Sequence, residues 1–173
     1  LGTATNGVVN ALLVNPTGEL TVAGDFTSSY VSTCPATAAT SGAGCASSGG
    51  ANVLTATSLP WVDADFRARG TGLPQLAVVL ALTSFVSIPQ GVAPLLSFFV
   101  QSPAGCDLLV APDIVHAIGT ANGIADSSLF LPSSPSIVGV PFFHQMVPVE
   151  VDPTLAILSI TATNSLRLVA GDF

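Results

Sequence analysis

Thirteen prolines are spread through this chain of 173 residues, and the apolar residues between them come in short runs. Proline has no backbone N–H and a fixed φ, so the interior of a helix rejects it. Short apolar runs broken by Pro, Gly and Ser read instead as strands separated by turns. From residue 53 onward the runs that fit are Val53–Ser58, Asp65–Thr71, Leu76–Leu82, Leu95–Phe99, Asp107–Val110, Ile114–Ile118, Ser127–Leu131, Phe142–Val149, Ala156–Thr163 and Leu166–Leu168. Leu76–Val86 is apolar on all sides and could be taken for a helix. The flanking Pro74 and Pro89 and its β-branched residues favour a strand. Ser133–Val138 fits a short helical turn.

The predicted fold class is therefore all-β: an antiparallel β-sandwich of jelly-roll or immunoglobulin-like type over residues 53–173. A Ser/Gly/Ala-rich linker over 31–52 precedes it, since the stretch around SGAGCASSGG is too small and polar to build a core. Residues 1–30 read as an N-terminal β-hairpin arm. Val8–Val14 is one strand, Asn15–Gly18 a turn in which Pro presets φ and Gly accepts positive φ, and Glu19–Phe26 the return strand. Two strands alone cannot bury a face, so the hairpin must pack on its own body or on a neighbour. Val8, Val9, Leu12, Val14, Leu20, Val22 and Phe26 are the candidates for that contact. Val22–Phe26 (VAGDF) recurs as Val169–Phe173. Either two strands end in similar turns, or the N-terminal strand mimics an edge strand and can pair in its place.

Charged residues make up 8% of the chain and hydrophobic ones 49%; there is no lysine, and ten carboxylates face three arginines, for a net charge of −7. Such a surface cannot displace phosphate counterions, which excludes nucleic acid as a partner. It offers no polybasic segment to anionic lipid. The longest apolar stretch, Leu76 to Leu82, falls far short of the ~20 residues a spanning helix needs, so no membrane insertion is expected. A bland, weakly charged surface fits burial in a homo-oligomer or polymer, and it also fits a plain secreted domain. The chain begins at Leu1 rather than Met, as a processed product or a fragment would.

The residues offer little chemistry. Cys34, Cys45 and Cys106 form no CxxC pair, and with His116 and His144 isolated in apolar runs no zinc set is spaced to form. In an oxidising compartment one disulfide is the better reading, and any of the three pairings stays open. There is no GxSxG elbow. The histidines read as satisfied core or sheet-face residues. Asp63, Asp65, Arg67 and Arg69 alternate along one strand face, as a solvated row with cross-strand charge pairs would. Two carboxylates so placed could also serve glycoside hydrolysis or calcium. Asp107 and Asp113 flank a strand end and read as turn residues that accept backbone N–H groups. Trp61, after Pro60 at a strand start, reads as a core anchor rather than a sugar platform. No catalytic residue, metal site or cofactor is predicted, and the chain is not expected to be an enzyme.

Residues 34–173 resemble the C-terminal sandwich domain of secreted proteins from planctomycete-type bacteria. The matching segments are Cys34–Ala38, Gly42–Cys45, Asn52–Thr57, Leu59–Trp61, Phe66–Pro74, Gly105–Asp113 and Gln145–Glu150. The hairpin, Gly7–Leu12 through Ala23–Phe26, is similar to one unit of the β-propeller-like repeat arrays that precede that domain. A single unit cannot close a blade or a ring. The resemblance implies secretion, a cell-surface or extracellular role, and no known activity. It also implies that Cys45 pairs with Cys106, leaving Cys34 as the odd cysteine. Three functions are then in view: an extracellular structural subunit that self-assembles as a fibre or surface layer by strand addition from the arm; a monomeric attachment or sorting domain that folds its own hairpin; or a carbohydrate-binding or hydrolytic module using Asp63, Asp65 or Trp61.

Overall fold

Buried and exposed residues alternate along much of the body, as they do when a strand turns one face to a core. The computed structural model describes residues 8–14, 20–25 and 34–172, and these form thirteen strands and two 3-10 turns. The strands in chain order are β1 (Val8–Val14), β2 (Leu20–Asp25), β3 (Thr37–Ser41), β4 (Ala46–Ser47), β5 (Gly50–Ala51), β6 (Val53–Ala56) and β7 (Ala64–Thr71). They continue with β8 (Ala77–Ser84), β9 (Ile114–Gly119), β10 (Ala125–Leu131), β11 (Pro141–Val151), β12 (Ile157–Ile160) and β13 (Ser165–Val169). The 3-10 turns are Leu95–Ser97 and Pro135–Ile137, the second inside the segment expected to turn helically.

Six strands make the principal sheet, in the order β3-β13-β11-β8-β9, with β12 beside the C-terminal part of β11. A three-stranded sheet, β10-β7-β6, covers one of its faces. All strand pairings are antiparallel, so the all-β sandwich expected from the sequence is what forms. Between the sheets lie Leu54, Phe66, Ala68, Val79, Met146, Leu166 and Leu168. Strand β7 shows why: Phe66, Ala68 and Gly70 point in while Asp65, Arg67 and Arg69 point out. Gly70 is required by contact, because a Cβ there would stand 2.7 Å from the Met146 sulfur.

The other face of the principal sheet is covered by the long connection between β8 and β9. Leu95, Cys106 and Val110 of that segment pack on Leu82, Val147, Ile160 and Ala162. Its own backbone bonds, Ile88 N–H to Leu109 O and Leu95 N–H to Cys106 O among them, hold it as a folded flap. The Cys45–Cys106 disulfide, with Cα atoms 5.2 Å apart, staples it to the segment before β4. The central strands β8 and β11 thus have apolar residues on both faces, the pattern of strands covered on two sides.

Three expectations need correction. Leu95–Phe99 is not a strand: Pro94 presets φ for the 3-10 turn that follows it. Asp107–Val110 makes only isolated bridges, and the Leu109 N–H goes to the Gln145 side chain rather than to a neighbouring strand. The supposed linker belongs to the sandwich from residue 36 onward. Ala36 is buried, β3 pairs with β13, and β4 and β5 form a short hairpin. Small Thr, Ala and Ser residues cannot build a core, but they suit an edge strand.

The hairpin forms as expected, with β1 antiparallel to β2 and the register shifting between Val9 and Ala11. The turn read at Asn15–Gly18, and Phe26, lie outside the described residues. The VAGDF echo does not join two edge strands. Its second copy starts at the last residue of β13, which lies between β3 and β11, and continues into buried Ala170 and Gly171. There is no edge at β13 for the arm to mimic.

Candidate functional site

Strand β9 ends the principal sheet. Its register with β8 and the bond from Thr120 N–H to Ala77 O fix which way each peptide points. Hydrogen-bonded pairs alternate along an antiparallel ladder, so Ile114, His116 and Ile118 turn their N–H and C=O groups to β8. Val115, Ala117 and Gly119 turn theirs outward, where no strand pairs with them among the described residues. An edge of this kind is a template for another strand.

At its start, Ile114–Val115, that edge is flanked by apolar surface on both faces. On the inner side, between β9 and β10, a cleft of about 320 Å³ is lined by Ile114, Leu129, Leu131, Ile137 and Phe142. On the outer side, under the flap, a second groove of about 300 Å³ is lined by Leu80, Phe98, Phe99, Val115 and Val147. Ile114 is 50% exposed, Val115 48% and Phe98 62%. At the mouth of the inner cleft the Ser84 hydroxyl donates to Asp113.

Behind the inner cleft lies a buried polar cluster. His144 of β11 is fully buried, with its Nδ1 2.8 Å from Thr83 Oγ1 on β8 and its Nε2 2.9 Å from Ser127 Oγ on β10. Burial first, and then the neighbouring His116, push the His144 pKa down to about 4. The Phe66 ring meets His144 edge-on, and the His116 ring stacks 6.5 Å from it. A hydroxyl 2.9 Å from an imidazole is half of a hydrolytic dyad. Here Nδ1 is bonded to a hydroxyl rather than a carboxylate, and Ser127 is itself buried. The cluster therefore acts as a hydrogen-bonded tie between three strands from two sheets. His116 Nε2 is also buried but has no hydrogen-bond partner among the described residues.

The other residues singled out in the sequence do not converge on a site. Asp63 leaves the strand alternation: it sits in a turn before β7 with φ of +58°. Asp65, Arg67 and Arg69 do share the outer face of β7, where Arg69 holds Asp126 of β10 bidentately at 2.7 and 3.1 Å. That contact keeps the Asp126 carboxyl below its ordinary range. Trp61 is half-buried and bridges Gly171, where a Cβ would stand 2.7 Å from its ring. Asp107 accepts the Gly91 N–H at 3.0 Å, as a turn residue would. Cys34 carries a free thiol. No group of three or more His, Cys, Asp or Glu is placed to hold a metal among the described residues. No described helix is long and apolar enough to cross a membrane.

No protein-family model, curated protein or solved structure matches this chain. The sequence marked β9 as a strand but could not place it at an edge, because strand order depends on pairings distant in the chain. Gln145 and Asn164 were also missed. Gln145 binds Leu109 N–H, Asp107 O and Thr163 O, tying the flap to the sheet. Asn164 grips both backbone groups of Leu54 on the outer side of β6. A buried amide gives no sequence signal beyond its polarity.

Proposed function

We propose that this chain is an extracellular structural subunit that self-assembles, as a fibre or a surface layer, by β-strand addition from its N-terminal arm. The observation that carries this reading is the arm's isolation: among the described residues β1 and β2 pair only with each other. Val8, Ala11 and Ala23 are exposed. A two-stranded unit is marginal in water and gains stability by joining a larger sheet. Low charge and the lack of lysine suit a surface that becomes buried between subunits. The disulfide suits an oxidising compartment, in keeping with the resemblance to secreted proteins. Arm and acceptor are different surfaces, so the contact is head-to-tail, and unless the rotation closes a ring it propagates.

Deleting residues 1–30 tests this. Both core clusters are built within residues 36–170, so the body keeps its interior. The full chain is expected to associate with rising concentration in sedimentation velocity, and the truncated chain to stay monomeric. Normal assembly of the truncated chain would sink the role of the arm. A full chain that is monomeric at every concentration would leave the attachment-domain reading in its place.

A further inference from the structure

We infer that the acceptor for the arm is the open edge of β9 on a second copy of this chain, with β1 lying along Val115, Ala117 and Gly119. This rests on the arm reading above and adds the place where the arm docks.

Two observations favour β9 among the sheet edges. First, the start of β9 has an apolar groove on each face, with Ile114 on one and Val115 on the other. A strand beside that end would turn side chains toward both. Second, β1 has the matching composition. Its sequence VVNALLV is apolar at every position but Asn10, the pattern of a strand covered on two faces. Among the described residues β2 occupies one edge of β1 and nothing pairs with the other. At seven residues β1 is long enough to cover the six of β9.

The other edges suit the arm less well. Strand β12 exposes Ile157 and Leu158 but is only four residues long, and its Ile160 N–H already donates to Gln101 O. Strand β3 carries only Thr, Ala and Ser, so a strand beside it would bury little apolar surface. The β6 edge is occupied at Leu54 by Asn164. Strand β10 shows charged Asp126 on its outer face. The arm enters the body at β3, the opposite end of the principal sheet from β9. At ~4.8 Å per strand the two ends stand about 19 Å apart. The first strand after the arm and the acceptor edge thus lie at opposite ends of the principal sheet, which suits a head-to-tail chain of subunits.

Full-length variants separate the two halves of the contact. Ala117→Pro removes an N–H that faces away from β8, so no intrachain ladder bond is lost. Val115→Lys puts a charge over the outer groove and guards against a folding defect in the proline variant. Leu12→Asp combined with Leu13→Asp spoils the donor strand. In sedimentation velocity each variant alone is expected to need at least about tenfold more protein than wild type to associate. An equimolar mixture of Ala117→Pro, with an intact arm, and the Leu12/Leu13 variant, with an intact edge, is expected to give a one-to-one dimer. If both β9 variants assemble like wild type while the arm variant does not, the β9 assignment is overturned and the arm reading stands. If the arm variant assembles normally, or wild type never associates, both fall.

Discussion

His144 joins strands β8, β10 and β11 through one ring. Its lowered pKa makes this tie sensitive to pH. The unfolded chain takes up the proton near pH 6.5, whereas the folded chain resists it until about pH 4. Stability from this group is therefore full above pH 6.5 and is lost as pH falls toward 4, by roughly 3 kcal/mol in all. Urea denaturation of the full chain at pH 7, 5.5 and 4 is expected to show that decline, and His144→Gln is expected to flatten most of it. A wild-type curve that is level across this window would contradict the assignment. Asn164 plays a comparable part at the β6 edge. Its carboxamide takes the place of a missing strand, accepting the Leu54 N–H at 2.8 Å and donating to the Leu54 carbonyl at 3.0 Å. Asn164→Ala would leave a buried donor and a buried acceptor unpaired, an expected loss of about 3 kcal/mol in urea denaturation. At this scale the sequence was readable in part. His144, between PFF and QM, could be recognised as a core histidine from its apolar neighbours. Its partners could not, because Thr83 is 61 residues away and Ser127 is 17.

The elements with the clearest pattern were the ones the sequence placed best. Strand β7 was legible from alternation alone, and β8 and β11 from apolar runs that proline forbids to be helices. The segment before β6 was misread because composition reports on core-forming capacity, and an edge strand of small residues has no core side to report. The flap was misread for a related reason. Its apolar residues face a sheet, but their backbone bonds close within the flap and onto Gln145 rather than in a ladder. The Cys45–Cys106 bridge fastens that flap across a separation of 61 residues. By loop-closure entropy such a crosslink contributes about 4 kcal/mol. Cys45→Ser with Cys106→Ser is expected to lower stability by up to that amount and to speed hydrogen exchange in residues 85–112 before the β7 and β11 amides are affected. Uniform loss of protection across the molecule would show instead that flap and sheet open together.

At the scale of the whole molecule the sandwich is lopsided. Six strands face three, and the flap supplies the missing cover on the far side. The β6 edge is sealed by an asparagine, whereas among the described residues the β9 edge is unpaired, with an apolar groove on each face of its start. The chain enters at β3, the other end of the principal sheet. This polarity was not legible in the sequence, which could mark the arm as incomplete but could not say where the complementary edge lay. The proposed assembly uses that polarity, giving a strand from one flank and receiving one on the other. Hydrogen exchange of the full chain, read at high dilution and after concentration, addresses that account at the atoms it names. The amides of Val115, Ala117 and Gly119 and those on the free edge of β1 are expected to exchange fast when dilute and to become protected together on association. Association that leaves both sets of amides fast, or a chain that never associates, would contradict it.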